Sequence, residues 1–265
     1  MNELRKDPLL NKWVVVLNDS KPPEYYYIKP SNQEKDKELC LLCPENKSAP
    51  FKEIYAIRDS EGNYKIRVIA MFDPILRIEG ELNRKGVGMY DKMNGIGANE
   101  IIIESPSHNI PSEDMGIDQM INVITTYKYR LSELEKDPRL RYTLIYKKSN
   151  IPSDNISNHP CSLLIATPII PKGIKDELDG AKAYYHYKER CIFCDIINEE
   201  LKTGVRIIAE NKGFIVFVPF APRSPFEYWI APKRHSCALQ EIYDEEIHDL
   251  SMILMISIKK MKSIL

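Results

Sequence analysis

The chain contains one ordered pattern twice, and this internal repeat limits its possible folds more than any other feature. Each copy has a Cys-x2-Cys pair, then an apolar strand that ends at Phe-x-Pro, then a strand that opens with Glu and reaches His eight residues later. The copies run through Cys40, Cys43, Glu100 and His108, and through Cys191, Cys194, Glu227 and His235. The repetition predicts two related structural units.

Each copy continues into an amphipathic pattern of helical period. The first predicts a helix from about Ile117 to Lys136, followed by a strand over 141–147, and the second predicts a helix from about Asp244. A hairpin-length gap at 59–63 and strands joined through helices favour an antiparallel α+β fold. No counterpart of the strand over 141–147 follows the second helix before residue 265, so we expect an incomplete second unit. The predicted division is 1–171 for the first repeat and 172–265 for the second.

The paired cysteines predict metal sites, because zinc binds about four Cys or His ligands and such pairs are metal clips in a reducing compartment. Redox activity is the less favoured alternative, since neither pair lies in a thioredoxin-like strand–helix–strand pattern. Four residues are the expected ligands of one structural zinc: Cys40, Cys43, His108 and His159. The repeat predicts a second candidate site at Cys191, Cys194 and His235, with His186 or His248 as a substitute fourth ligand. A second site that is half-occupied or empty is an equal alternative.

Composition excludes several classes of protein. Lys and Arg number 37 against 38 Asp and Glu, so the net charge of −1 supplies no positive field for nucleic acid or an acidic membrane. The longest wholly apolar run, 252–256, is too short to span a bilayer, and the N-terminus has no apolar signal core. We therefore expect a cytoplasmic protein that contacts neither nucleic acid nor membrane. Neither G-x-G-x-x-G nor a P-loop is present.

Several motifs together resemble the galactose-1-phosphate uridylyltransferase family, which belongs to the histidine-triad superfamily. The matching stretches are Glu3–Leu9 with Trp13–Val16, Cys40–Pro44, Ile103–His108, His159–Ser162, Glu189–Ile197, Val218–Ala221 and Pro225–His235. The resemblance extends over nearly the whole chain.

This resemblance implies two repeated half-barrel units on one continuous sheet, usually in a homodimer. It also implies transfer of a nucleoside monophosphate between sugar 1-phosphates, in galactose metabolism, through a covalent nucleotidyl-enzyme intermediate. The partners would be a nucleotide sugar, UDP-glucose or a related one, and a sugar 1-phosphate. The family's zinc ligands match the four residues named above, and nucleotide contacts match Leu42, Ile101 and Ser162.

The sequence departs from the family at the positions that carry the chemistry. Cys161 stands where the family has its histidine nucleophile, and Leu163 replaces a glutamine that binds the transferred phosphate. Positions of nucleotide-binding asparagines fall at Met71 and near Lys147. Two phosphate-binding arginines fall near Ser20 and Pro23.

Three hypotheses remain open at the level of sequence. The first is a hexose-1-phosphate nucleotidyltransferase. The second is a catalytically impaired homologue that binds a nucleotide sugar or a partner chain without turnover. The third, a zinc-containing nucleic-acid binder, is disfavoured because no basic stripe with interleaved aromatic residues occurs.

Overall fold

A computed structural model describes residues 3–16, 40–46, 51–147 and 159–264. These residues form two compact units, one made of 3–16 with 171–264 and the other of 40–46, 51–147 and 159–170. Across the described ranges, every helix is too short or too polar to cross a bilayer.

The described residues contain twelve strands and four α-helices. The strands are β1 (Glu3–Lys6), β2 (Trp13–Val16), β3 (Glu53–Arg58), β4 (Tyr64–Ala70), β5 (Lys85–Val87), β6 (Tyr90–Lys92), β7 (Ala98–Ile103), β8 (Tyr142–Tyr146), β9 (Cys161–Thr167), β10 (Ile207–Glu210), β11 (Phe214–Phe217) and β12 (Trp229–Pro232). The helices are α1 (Ile117–Glu135), α2 (Lys172–Lys188), α3 (Ile192–Thr203) and α4 (Asp244–Lys262).

The larger sheet is antiparallel, with the strand order β3-β4-β7-β9-β8. Its central strand, β7, ends in three consecutive isoleucines, as expected where a strand is covered on both faces. Ile101, Ile102 and Ile103 are each 0% exposed. The predicted first helix is confirmed as α1, which contacts β4 and β8. Its buried apolar side chains are Met120, Val123, Ile124 and Leu134.

The other unit contains a three-stranded antiparallel sheet in the order β10-β11-β12, against which α4 packs. The prediction of a helix from Asp244 is confirmed. The β1–β2 hairpin belongs to this unit, and α2 approaches it so closely that a Cβ added to Gly180 would lie 2.1 Å from the carbonyl oxygen of Leu9. Sequence analysis missed α2 because this helix buries no side chain and therefore has a weak apolar stripe.

The mixed fold with antiparallel sheets and packed helices is therefore as predicted. The hairpin at residues 3–16 groups with 171–264 and not with the residues that follow it in sequence. The division into repeats at 171/172, and the half-barrel form of each repeat, stay predictions.

Candidate metal centre and nucleotide site

The structure brings together the four predicted zinc ligands of the first repeat. They lie in the unit made of 40–46, 51–147 and 159–170, which is called the first unit below. One donor atom from each of four buried residues, Cys40, Cys43, His108 and His159, lies within 4.8 Å of the others. The Nδ1 atom of His108 is 3.2 Å from the Sγ atom of Cys43. The Nδ1 atom of His159 is 3.7 Å from Sγ of Cys40 and 3.6 Å from Sγ of Cys43.

Strand pairing explains how residues so distant in sequence meet. β7 and β9 are antiparallel, and Ile103 at the end of β7 pairs with Cys161 at the start of β9. The chain beyond β7, which carries His108, therefore lies beside the chain before β9, which carries His159. Both cysteines lie in a turn above this end of the sheet, where the Leu42 carbonyl accepts a hydrogen bond of 3.3 Å from the Tyr64 hydroxyl.

One hydrogen bond sets the orientation and tautomer of His159. Its Nε2 donates to the Ser105 carbonyl at 2.9 Å, which leaves Nδ1 as the lone-pair nitrogen facing the thiols. Burial lowers the pKa of His159 to about 4, so the ring is neutral at pH 7 and can bind a metal. Two sulfur and two nitrogen donors in a buried group can hold a metal ion.

The predicted nucleotide-contacting residues Leu42 and Ile101 lie beside this cluster. Both belong to a buried apolar group with Ile69, Ile103 and the two cysteines, against which the side chains of Cys161 and Leu163 pack. Side chains two residues apart on β9 point to the same face, so Cys161 and Leu163 share the face on which the cluster lies. The buried side chains of this group are apolar apart from the thiols.

Cys161 is poorly suited to act as a nucleophile at neutral pH. Burial, and next the charge of Glu104, raise the pKa of its thiol to about 12. The thiolate is the reactive form, and it is therefore scarce at pH 7. Leu163 brings no hydrogen-bond donor to the position where the family has glutamine.

The structure directs the side chain of Ser162 away from that face. Its hydroxyl is bonded to the carboxylate of Glu104 and lies 2.6 Å from the Tyr127 hydroxyl, and Ser162 is 1% exposed. Adjacent residues of a strand point to opposite faces, so this hydroxyl lies on the α1 side of the sheet. The predicted nucleotide contact at Ser162 stays a prediction that only the backbone could fulfil.

Two of the departures from the family have defined surroundings. Met71 is partly buried against the apolar group around Ile101, and the ammonium of Lys147 bonds to Glu104 and to the Ser112 hydroxyl. The expected arginine positions near Ser20 and Pro23 lie outside the described residues.

A second group forms in the other unit from Cys191, Cys194 and His235, whose donor atoms lie within 4.8 Å of one another. The Sγ atom of Cys194 is 3.1 Å from Nδ1 of His235. Cys191 is the N-cap of α3, and the preceding element is α2, so no strand–helix–strand redox pattern surrounds the pair.

The substitute ligands suggested for this second group are wrong. Neither His186 on α2 nor His248 on α4 joins the three donors among the described residues. The side chain of His248 is 60% exposed and lies beside Asp249.

Comparison with known proteins bears on the first unit most directly. The family model described as galactose-1-phosphate uridyl transferase, N-terminal domain, matches residues 1–160, which is more than half of the chain. The chain belongs to this family. The match contains all four residues of the buried cluster and ends one residue after His159.

Relatives of this family match along most of the chain. An ADP-glucose phosphorylase from Arabidopsis thaliana is 28% identical over 97% of this chain and 73% of its own length. A galactose-1-phosphate uridylyltransferase from Thermotoga maritima is 26% identical over 96% of this chain and 74% of its own length. A crystal structure of an Arabidopsis ADP-glucose phosphorylase with bound ADP-glucose superposes with a TM-score of 0.79, at 26% identity, covering 99% of this chain and 78% of that one. The chain is thus similar to nucleotidyltransferase-family proteins throughout.

Sequence analysis assigned no role to three residues that border the site. Glu104, Tyr127 and Lys147 form a hydrogen-bonded group on the α1 side of the sheet. The one available signal was a carboxylate directly after the apolar run 101–103, where an ionisable residue needs a buried partner.

Proposed function

We propose that the buried cluster holds one structural zinc ion through Cys40, Cys43, His108 and His159. The donor set carries this proposal: two thiols and two imidazoles are typical zinc ligands, and four protein ligands leave no open coordination position. The neutral ring of His159 and its bond to the Ser105 carbonyl support the assignment. A zinc ion here would fix the turn that carries Leu42 over the sheet.

We propose further that the chain binds a nucleotide sugar, UDP-glucose or a related one, on the sheet face next to this zinc. The observation that carries this function is the shared face of Leu42, Ile101, Cys161 and Leu163 at the cluster. An apolar floor with few polar groups is typical of a site for a flat ring such as a nucleotide base. Membership of the uridylyltransferase family and similarity to an ADP-glucose-bound structure support the same class of ligand.

The reaction class of this site is nucleotidyl transfer between sugar 1-phosphates, and we propose that its covalent route is impaired in this chain. That route needs a nucleophile that attacks phosphorus and a donor that stabilises charge on the phosphoryl oxygens. The thiol of Cys161 is largely protonated at pH 7, and Leu163 supplies no donor. Loss of a single charge-stabilising donor costs about 3–4 kcal/mol in the barrier, a factor of roughly 10²–10³ in rate.

Binding and turnover can be tested separately on the same chain. Calorimetric titration with UDP-glucose and with ADP-glucose measures binding. Turnover is assayed with either nucleotide sugar and galactose 1-phosphate or inorganic phosphate as acceptor. We expect binding of a nucleotide sugar by the wild-type chain, and transfer that is restored, or raised by at least tenfold, in the double variant Cys161→His, Leu163→Gln.

Two controls separate this proposal from the main alternative, an efficient transferase. Cys161→Ala removes the thiol, and we expect this variant to transfer nucleotide at the same residual rate as the wild type. Fast wild-type transfer that Cys161→Ala abolishes would show the thiol acting as nucleophile and would overturn the proposed impairment. Failure of the wild type to bind any nucleotide sugar would overturn the binding function.

Other expectations from the sequence are retained as proposals that rest on the internal repeat, on composition or on the family resemblance. They are a second zinc at Cys191, Cys194 and His235, two half-barrel repeats, a homodimer and a cytoplasmic location. Zinc analysis of the second-site cysteine variants and light scattering of the purified chain test the first and third of these directly.

A further inference from the structure

Glu104 is a buried carboxylate that no step of the proposed function uses. It follows β7, is 2% exposed, and accepts hydrogen bonds from the hydroxyls of Tyr127 and Ser162 and from the ammonium of Lys147. The Tyr127 bond measures 2.7 Å. These donors come from α1, from β9 and from the residue after β8, so one side chain joins three elements.

The backbone on either side of this carboxylate contacts the same neighbouring segment. The Glu104 amide donates to the Pro160 carbonyl at 2.8 Å, and the Ser105 carbonyl accepts the bond from His159 Nε2 at 2.9 Å. Together with the bond to Ser162, these contacts engage three of the four residues of the segment 159–162. The Glu104 carbonyl accepts a hydrogen bond of 2.6 Å from the side-chain amide of Gln119 on α1.

We infer that Glu104 is a positioning residue for the metal centre. Its carboxylate fixes Ser162 on one side of the sheet and thereby holds His159, three residues earlier, with Nδ1 facing the two thiols on the other side. The inference rests on the zinc site proposed above. It assigns to Glu104 a role in the affinity and geometry of that site, exerted through the 159–162 segment.

The chain contains a matched carboxylate that separates this role from ordinary core stability. Glu100 lies on β7, four residues before Glu104, is 3% exposed, and forms a two-pronged ion pair with Arg130 of α1, with bonds of 2.9 and 2.7 Å. Both acids are thus buried, face the same helix and have a cationic partner. Only Glu104 bonds to the segment that carries His159.

The experiment compares Glu104→Gln with Glu100→Gln in the full chain. Zinc affinity is measured by competition with a chromophoric chelator, and the cobalt-substituted protein reports coordination geometry through its visible absorption. Removing a group that orients a metal ligand typically costs 10–100-fold in metal affinity. We expect Glu104→Gln to weaken zinc binding by about tenfold or more and to alter the cobalt spectrum. We expect Glu100→Gln to keep the wild-type zinc affinity, within about twofold, and the wild-type cobalt spectrum, even if it lowers the melting temperature as much as Glu104→Gln does.

Two milder variants keep the inference testable if Glu104→Gln does not fold. Ser162→Ala removes the donor on β9, and Tyr127→Phe removes the donor on α1. We expect Ser162→Ala to weaken zinc binding more than Tyr127→Phe, because only Ser162 belongs to the His159 segment.

Equal zinc affinities in the wild type, Glu104→Gln and Ser162→Ala would overturn the positioning role and leave the zinc site standing. Equal losses of zinc affinity in Glu104→Gln and Glu100→Gln would likewise overturn the positioning role and leave the zinc site standing. A wild-type chain that binds no zinc would overturn the proposed zinc site together with this inference.

Discussion

The two Cys-x2-Cys pairs have the same spacing, but the groups that they form differ in the number and the burial of their donor residues. The first pair joins two histidines, and all four residues are buried. The second joins one histidine among the described residues, with two half-buried cysteines and an exposed His235. The repeated motif therefore does not by itself produce a closed metal centre.

The difference follows from the sheets. In the first unit β9 pairs with β7 and places His159 beside the turn of the cysteines. In the other unit β12 pairs with β11, and no described strand lies along its second edge. The fourth donor depends on a strand that lies across from the motif, so long-range pairing decides which group closes.

The largest expected effect tests whether the first group is the one that holds zinc. We expect Cys40→Ser, Cys43→Ser to lose one zinc per chain. Ligand binding at a thousand times Kd contributes about 4 kcal/mol, so we expect a loss of this order in the free energy of unfolding. Metal analysis and urea denaturation measure the two quantities. Cys237→Ser, which alters an exposed cysteine outside both groups, is the control. Unchanged zinc content in the double variant would remove the first site.

A second prediction sharpens the comparison with the buried ion pair that each unit contains. Arg130 bonds to Glu100 with side chains 9% and 4% exposed, whereas Arg206 bonds to Glu200 with side chains 22% and 4% exposed. Breaking a buried pair costs about 3–5 kcal/mol, because an unpaired charge stays buried. We expect Arg130→Met to cost about 3 kcal/mol and Arg206→Met less, since Arg206 is more exposed to water than Arg130. Equal losses in urea denaturation would show that the two units bury charge alike.

A third prediction concerns the unit with the more open group, where α2 lies against the β1–β2 hairpin. Gly180→Ala would place a Cβ 2.1 Å from the Leu9 carbonyl oxygen, whereas Gly173 of the same helix has open space around its Cβ position. We expect Gly180→Ala to lower the free energy of unfolding by about 1–3 kcal/mol. The control Gly173→Ala should be neutral or stabilising by up to about 1 kcal/mol. Similar effects of the two variants on the melting temperature would contradict this close approach.

The smallest expected effect is in the second cysteine group. We expect Cys191→Ser, Cys194→Ser to change the free energy of unfolding by less than about 1 kcal/mol, because three partly exposed donors hold a metal less firmly than four buried ones. The measurement is urea denaturation with one equivalent of zinc present. A loss as large as that of Cys40→Ser, Cys43→Ser would abolish the distinction between the two groups.

Much of the fold and of the metal site could be predicted because periodicity and repetition are local signals. The α1 and α4 patterns, the hairpin gap at 59–63 and the two cysteine pairs were all recognisable. The helix α2 was not, since it buries no side chain and has no clear apolar period. The grouping of residues 3–16 with 171–264 could not be predicted either, because it depends on contacts between distant parts of the chain.

The direction of individual side chains was also beyond sequence analysis. Ser162 follows Cys161 directly on β9, so the two side chains point to opposite faces, but only the pairing of β9 with β7 shows which of them lies on the face of the cluster. The bond between Lys147 and Glu104 joins residues 43 positions apart. Neither fact has a local sequence signal.

X-ray absorption at the zinc edge of the wild-type chain tests the central claim most directly. We expect about one tightly held zinc per chain, in a shell of two sulfur atoms near 2.3 Å and two nitrogen atoms at about 2.0–2.1 Å. A tightly held zinc bound only by oxygen and nitrogen, or the same shell of two sulfur and two nitrogen atoms in Cys40→Ser, Cys43→Ser, would contradict this assignment.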